Sequence, residues 1–163
     1  MKIVPAQRED MPEILQLQKL CYLNEAEIYN VYNIPPLTQT LEEIIRDFSR
    51  QFFLKAVIDN RIIGSVRAYQ KDETCHIGRL IVHPDYQNLG IGTKLMKEIE
   101  ALFKDTKRFE LFTGYRSSKN LYLYQKLGYT PFKTEEIHAR LKLLYLQKPQ
   151  PLRARNSREP IAP

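Results

Sequence analysis

The chain has 163 residues, enough for one domain with a substantial hydrophobic core. Its 43% hydrophobic and 27% charged residues are the proportions of a soluble globular protein, and no run of about 18 apolar residues exists that could span a membrane. The two cysteines lack the spacing of metal ligands, which argues against a disulfide framework and a zinc site. The N-terminus lacks the apolar segment of a signal peptide, so we expect a cytoplasmic protein without a metal.

Charge is concentrated at the C-terminal end. The formal net charge is +6, and residues 148–163 hold four basic side chains against one acidic side chain. The remaining charge is too small for the dense basic face of a nucleic-acid-binding protein, and it suits a small polyanionic ligand. Four prolines and almost no periodicity predict a disordered tail over 148–163, after a single domain over 1–147.

The first fifty residues predict one strand and two helices. Apolar side chains recur at near-helical spacing in two segments, and the paired Pro35-Pro36 marks an irregular stretch between them. Thr40 is the expected N-cap of the second helix, with Glu43 completing a capping box. The predicted elements are a strand at 2–6, a helix at 8–23, a mixed segment at 24–40 and a helix at 41–50 that buries Leu41, Ile44, Ile45 and Phe48.

The rest of the chain alternates β-branched or aromatic runs with turn residues and two further amphipathic patterns. Asp59-Asn60 closes a hairpin, and Gly128 is expected to end the last helix in a left-handed conformation. Strands are predicted at 52–58, 61–69, 74–83, 108–113, 129–133 and 139–147, and helices at 90–104 and 118–127. This order predicts an α/β fold with a mixed, mostly antiparallel sheet of about seven strands and helices on both faces.

Residues 79–93 join a strand to a helix through a glycine-bearing turn. The β-branched run Leu80-Ile81-Val82 ends at Pro84, and Gln87-x-x-Gly90-x-Gly92 opens the next helical pattern. Free backbone N–H groups and the partial positive charge of a helix start favour a phosphate or pyrophosphate at this place. The alternative is an ordinary turn with a glycine at the helix start.

A second motif, Leu121-Tyr122-Leu123-Tyr124-Gln125-Lys126-Leu127-Gly128-Tyr129, follows near the C-terminus. Together with Gln87-x-x-Gly90-x-Gly92 and the intervening strands, it resembles the GNAT superfamily of N-acetyltransferases over roughly residues 1–147. The resemblance implies an enzyme that transfers an acetyl group from acetyl-coenzyme A to a primary amine of a small metabolite or a peptide. It leaves open a non-catalytic acyl-coenzyme A binding or sensing module of the same fold, and either a monomer or a homodimer.

The resemblance also implies roles for individual residues. The backbone of Leu80, Ile81 and Val82 would pair with the pantetheine arm, and Tyr124 would protonate the departing thiolate. Many members of the family carry an asparagine where this chain has Ser117, so Asn120 is expected to supply the polar contact to the coenzyme. The N–H groups expected to hold the coenzyme pyrophosphate are those of Gln87, Asn88, Leu89, Gly90, Ile91, Gly92 and Thr93.

Other roles stay open at this point. The proton acceptor for the amine is Glu73, His76 or a chain of water molecules. Arg79 either faces a substrate or lies on a solvated strand face or in an ion pair. The irregular segment and the second helix are expected to shape the acceptor pocket. Three tyrosines there form either a substrate rim or a packing cluster: Tyr22, Tyr29 and Tyr32.

Overall fold

A computed structural model describes residues 1–151, which form seven strands and five α-helices. The N-terminal half contains β1 (Lys2–Pro5), α1 (Met11–Tyr29), α2 (Pro35–Thr38), α3 (Leu41–Arg50), β2 (Phe52–Ile58), β3 (Arg61–Lys71) and β4 (Thr74–Val82). The C-terminal half contains α4 (Ile91–Leu102), β5 (Arg108–Gly114), α5 (Ser118–Lys126), β6 (Thr130–His138) and β7 (Leu141–Pro149). None of these helices is long and apolar enough to cross a membrane.

The strands form one open sheet in the order β1-β2-β3-β4-β5-β7-β6. Every neighbouring pair is antiparallel except β4 and β5, which are parallel. That parallel pair is short, because only Thr74–His76 of β4 pairs with Arg108–Glu110 of β5. Beyond it the two strands separate, and one edge of β4 is left without a partner strand. The predicted α/β class with a mostly antiparallel sheet of seven strands is confirmed.

Helices cover both faces of the sheet, because alternate side chains of a strand point to opposite faces. Leu54 and Ile63 belong to the core cluster that includes the α4 and α5 residues Leu95, Met96, Ile99 and Tyr124. Phe53 and Ile62 belong to the second cluster, with the α1 and α3 residues Met11, Ile14, Leu17 and Ile44. Two separate cores therefore hold the central strands between two helical layers.

The N-terminal helices differ from the prediction in two respects. Helix α1 continues to Tyr29, six residues past its expected end, because Ala26 and Tyr29 continue its buried face. The helix stops at Asn30, which has a left-handed φ of 51°. The capping box of α3 forms as expected, but the predicted burial of Leu41 is wrong: this side chain is 42% exposed. The buried part of α3 starts one turn later, at Ile44.

The last two strands extend beyond their predicted ends. Every residue of β6 is exposed, so the strand carries no apolar alternation that would reveal its full length. Strand β7 reaches Pro149, where the prediction ended it at 147 and began a tail. Lys148 bonds to Glu100, and the Gln150 N–H donates to the Lys107 carbonyl at 2.8 Å, so both belong to the domain. Residues 152–163 of the predicted tail lie outside the described residues.

Candidate active site

A cavity of about 520 Å³ opens where β4 and β5 separate. Its walls come from the end of β4, the following loop, the first turn of α4, one face of α5 and the second half of α1. The short parallel pairing creates this space, because the splayed strands leave a gap that no side chain fills. The predicted coenzyme-binding residues that line the cavity are Leu80, Ile81, Val82, Gln87, Asn88, Gly90, Ile91, Gly92, Thr93 and Asn120.

The loop before α4 and the first turn of that helix form a segment that we call the anion cradle, residues 87–93. A short 3₁₀ turn at Pro84–Tyr86 turns the chain, and Asn88 (φ 64°) and Gly90 (φ 80°) then take left-handed conformations. Within residues 1–151, no protein group accepts a hydrogen bond from the seven backbone N–H groups of the cradle. Free N–H groups at a helix start carry partial positive charge, so the cradle fits a diphosphate. Leu89 projects from the tip of the loop, 64% exposed, and does not line the cavity.

The free edge of β4 borders the cavity. The His83 N–H donates to the Ile63 carbonyl at 2.8 Å, and the backbone groups of successive residues alternate between the two edges of an antiparallel strand. Ile81 therefore points its backbone groups at β3, whereas Leu80 and Val82 point theirs at the open side. The Val82 carbonyl accepts hydrogen bonds there from Cys21 Sγ at 3.4 Å and Gln87 Nε2 at 3.2 Å. The remaining edge leaves the Leu80 backbone groups and the Val82 N–H without a partner strand, and an edge of this kind can accept an additional extended chain.

A β-bulge interrupts β4 at Arg79. Ser65 of β3 lies opposite Ile81 and Arg67 lies opposite Gly78, so one residue of β3 faces two residues of β4. Arg79 takes a left-handed φ of 50°, which is uncommon for a long side chain. Its guanidinium lies 5.8 Å from the centre of the Tyr22 ring, and within residues 1–151 no carboxylate forms an ion pair with it. The ion-pair interpretation of Arg79 is therefore wrong for this part of the chain.

Tyr124 lies in the core beside the cavity rather than among its lining residues. The side chain is 6% exposed, and its ring packs edge-on against Tyr129 at 6.0 Å. The Tyr124 hydroxyl makes no hydrogen bond to a protein group within residues 1–151. It is not fully buried, because the one fully buried side-chain polar atom without a hydrogen bond in this part of the chain is Arg67 Nε. The Tyr124 hydroxyl therefore still reaches solvent. Burial raises its pKa, and the nearby Tyr22 and Glu25 raise it further.

Ser117 holds a carboxylate at the cavity wall. Its hydroxyl donates to Glu25 Oε2 at 2.5 Å, and the Tyr29 hydroxyl accepts the Arg116 N–H at 2.7 Å beside it. These contacts join the second half of α1 to the start of α5. Asn120 lines the cavity, and its side-chain amide donates to Thr113 Oγ1 at 3.4 Å.

The two side chains considered as proton acceptors lie elsewhere. Glu73 forms an exposed ion pair with Lys107 at 2.7 Å. His76 stacks on Tyr69 at 4.9 Å and contacts Glu110 at 3.3 Å. At about 3.3 Å per residue, both lie roughly 20 Å or more along the strand from Val82, and neither lines the cavity.

The structure adds site residues that the sequence did not single out. Helix α1 contributes Glu25 to the lining, and α5 contributes Lys119 and Lys126. Lys94 and Lys97 of α4 do not line the cavity. The added residues on α1 are Cys21, Asn24 and Glu25, which lie beside the predicted Tyr22. The continued apolar spacing at Ala26 and Tyr29 was the signal that α1 reaches over the site.

The three N-terminal tyrosines do not form one cluster. Tyr22 lines the cavity, Tyr29 packs against Tyr115 at 5.8 Å, and Tyr32 is 51% exposed. A single tyrosine from this group therefore contacts the site.

Comparisons with known proteins identify a relative of this chain and solved structures that share its fold. UPF0157 protein YqkA of Bacillus subtilis (strain 168) is 29% identical to this chain over 132 residues. These residues are 81% of this chain and 37% of that protein, so the chain spans little more than a third of that relative. The ribosomal-protein-S18-alanine N-acetyltransferase of Escherichia coli has the same fold, with a TM-score of 0.75 at 13% identity over 91% of this chain and 93% of that chain. The PaiA N-acetyltransferase of Thermoplasma acidophilum, solved in complex with coenzyme A, gives a TM-score of 0.72 at 19% identity over 91% and 99%.

The family match covers most of the chain. The model of the Acetyltransferase (GNAT) family matches residues 11–129, which include α1, the free edge of β4, the anion cradle and α5. The chain therefore belongs to the GNAT family of acetyltransferases, enzymes that take their acetyl group from acetyl-coenzyme A.

Proposed function

We propose that this chain transfers the acetyl group of acetyl-coenzyme A to a primary amine of a small molecule or peptide by direct attack. The observation that carries the proposal is the anion cradle. Seven backbone N–H groups without a protein acceptor lie directly after a strand edge without a partner, at the mouth of a cavity. A ligand in which a diphosphate is joined to an amide-bearing arm fits both features, with the diphosphate at the cradle and the arm along the adjacent strand edge.

The residues that would hold the donor divide by its chemistry. The N–H groups of the cradle would bind the diphosphate, and Lys119 and Lys126 add positive charge at the same cavity. The free backbone groups of Leu80 and Val82 would pair with the amides of the arm. Because the cradle follows β4, the arm runs back along this strand, and the thioester comes to lie toward the bulge at Arg79.

Acetyl transfer then needs three contributions from the protein. A free N–H at the β4 edge, at Leu80 or Val82, donates to the oxygen that becomes negative during attack. The nitrogen–carbon bond forms, the carbon–sulfur bond breaks, and the Tyr124 hydroxyl gives its proton to the departing sulfur. The amine must lose one proton before it attacks, because alkyl amines with a pKa of about 10 are protonated at neutral pH. It loses a second proton as the amide forms, and this proton restores the Tyr124 hydroxyl.

Burial affects both partners of this proton transfer. It raises the pKa of the Cys21 thiol, which lines the same cavity, to about 12, and it also raises the pKa of the Tyr124 hydroxyl. A thiolate in this cavity is therefore a stronger base than a thiolate in water, whereas Tyr124 is a weaker acid, so the two effects oppose each other. Tyr124 keeps its proton at neutral pH and holds it ready for the departing sulfur.

The test is calorimetry combined with turnover. We expect acetyl-coenzyme A to bind the folded protein, and a panel of primary amines to release free coenzyme A thiol with formation of the N-acetyl product. Binding without acetylation of any amine would support the sensing module instead. The absence of heat with any acyl thioester of coenzyme A would refute both interpretations of the cavity.

A further inference from the structure

The α1 side of the cavity carries charged groups that donor binding does not use. Tyr22 and Glu25 lie one turn apart on α1, so they share a face of the helix, and both line the cavity. Arg79, from the bulge of β4, places its guanidinium over the Tyr22 ring at 5.8 Å. Arg79 does not itself line the cavity, so an anionic group in the cavity wall and a cationic group beside that wall flank Tyr22.

Glu25 presents a carboxylate oxygen with no protein partner. Its Oε2 accepts the hydrogen bond from Ser117, and within residues 1–151 no protein group donates to Oε1. The carboxylate is oriented by a buried serine, so its position is defined before any ligand binds. A fixed carboxylate at a cavity wall is a binding group for an ammonium ion and a proton acceptor for an amine.

Arg79 carries a positive charge that the described part of the chain does not neutralise. The guanidinium of Arg67, on the neighbouring strand β3, does have partners: it donates hydrogen bonds to Asp47 at 2.7 Å and to Gln18 at 2.6 Å. Arg79 has no such hydrogen bond or ion pair within residues 1–151, and its guanidinium lies over the face of Tyr22. Burial, followed by repulsion from Arg79, lowers the pKa of Arg67 to about 10, so the two guanidiniums are close enough to disfavour each other.

The bulge that displays Arg79 is itself unfavourable. A left-handed conformation costs an L-residue about 1–2 kcal/mol, and such strain tends to persist where it positions a functional group. Bulges beside active sites re-aim side chains in this way. The local backbone therefore keeps an unpaired guanidinium beside a cavity-lining tyrosine at a cost in stability.

We propose that the acceptor is an amine that also carries an anionic group such as a carboxylate, with Glu25 binding the amine and Arg79 binding the anion. The inference rests on the proposed acetyl transfer and names the acceptor class of that same site. Glu25 takes one proton from the ammonium group and passes it to solvent, and the neutral nitrogen attacks the thioester. The nitrogen loses a second proton as the amide forms, and this proton replaces the one that Tyr124 gives to the sulfur. An acceptor of this class satisfies both charges that the free site leaves without partners.

The first test compares matched acceptors. The probes are α-, β- and ω-amino acids, each paired with its carboxamide, which has the same length but no charge at the other end. Loss of a nearby carboxylate lowers the pKa of the ammonium group, so rates are compared per neutral amine. We expect at least one free acid to exceed its amide ten-fold or more in kcat/KM. Equal rates across all pairs, or faster acetylation of the amides, would overturn the proposal while leaving acetyl transfer intact.

Variants of Arg79 assign that preference to one side chain. Arg79→Gln should abolish the preference for the acid by raising its KM, and Arg79→Lys should restore part of it, with the acetyl-coenzyme A affinity unchanged in both. Arg46→Gln, which removes an exposed arginine of α3, is the matched control and should keep the preference. A preference that survives Arg79→Gln would exclude Arg79 as the anion-binding group.

Glu25→Gln tests the amine-binding group. We expect kcat to fall for acids and amides alike and the pH dependence of kcat/KM to change, whereas Glu27→Gln, at an exposed position of α1, should leave both unchanged. If no acceptor turns over, calorimetric titration of each acid and amide into protein saturated with coenzyme A still decides. Tighter binding of the acids supports the proposal, and equal or absent binding of both overturns it.

Discussion

Gly90 and Gly92 allow the same substitution to be made at two positions of the cradle with opposite expected effects. An alanine methyl group at Gly90 would meet no atom within 4 Å, but Gly90 has a φ of 80°, which L-residues disfavour. A left-handed alanine costs about 1–2 kcal/mol, so Gly90→Ala should lower the free energy of unfolding by about that amount. If the free loop of the variant relaxes away from the left-handed conformation, it must return to that conformation when the ligand binds. The free energy of this return is lost from binding, and each 1.4 kcal/mol lowers the affinity roughly ten-fold.

Gly92→Ala should behave differently, because Gly92 lies in the first turn of α4. Its added methyl group would meet Leu123 Cδ2 at 3.4 Å and Leu80 Cδ2 at 3.9 Å, which are ordinary contacts with flexible side chains. Alanine in a helix is favoured over glycine by roughly 0.5–1 kcal/mol, so stability should be unchanged or higher.

Urea denaturation and calorimetric titration with acetyl-coenzyme A measure both quantities for each variant. Our explanation of the cradle requires Gly90→Ala to be less stable than Gly92→Ala and to bind acetyl-coenzyme A more weakly than the unsubstituted protein. Equal stabilities of the two variants, or unchanged affinity in Gly90→Ala, would show that the left-handed turn does not shape the cradle.

Three further substitutions test other parts of the site. Tyr124→Phe should lower kcat by a factor of about 10²–10⁴ with little change in acetyl-coenzyme A affinity, and an equal loss of both would make this tyrosine structural. Lys126→Ala should weaken acetyl-coenzyme A binding mainly at low salt, whereas Lys97→Ala should not, as titrations at two ionic strengths would reveal. Gly114→Ala should destabilise the fold by about 1–3 kcal/mol in urea, because the methyl group would lie 2.7 Å from Tyr29 Cζ; unchanged stability would mean that the Tyr29 ring is free to move.

Local patterns predicted the sheet and the cradle because the relevant signals are local. The Asp59-Asn60 turn and its flanking strands specify a hairpin, and Thr40 with Glu43 specifies a helix start. The spacing of Gln87, Gly90 and Gly92 after a β-branched run likewise places the turn and the helix start. In each case the residues that decide the structure lie within a few positions of one another.

The acceptor side of the cavity was not predictable in the same way, because it depends on contacts between distant segments. Ser117 and Glu25 are 92 residues apart, and the bulge at Arg79 follows from the register against β3. The exposed strand β6 shows the other limit, since a strand with no buried side lacks the alternation that would reveal its length.

The most direct test of the cradle is a titration of isotopically labelled protein with coenzyme A, followed by the NMR signals of the backbone amides. We predict that the amides of residues 87–93 show the largest changes, with shifts typical of new hydrogen bonds and slower exchange with solvent. Saturable binding that leaves these seven signals in place, and moves amides elsewhere, would contradict the assignment of this loop as the diphosphate site.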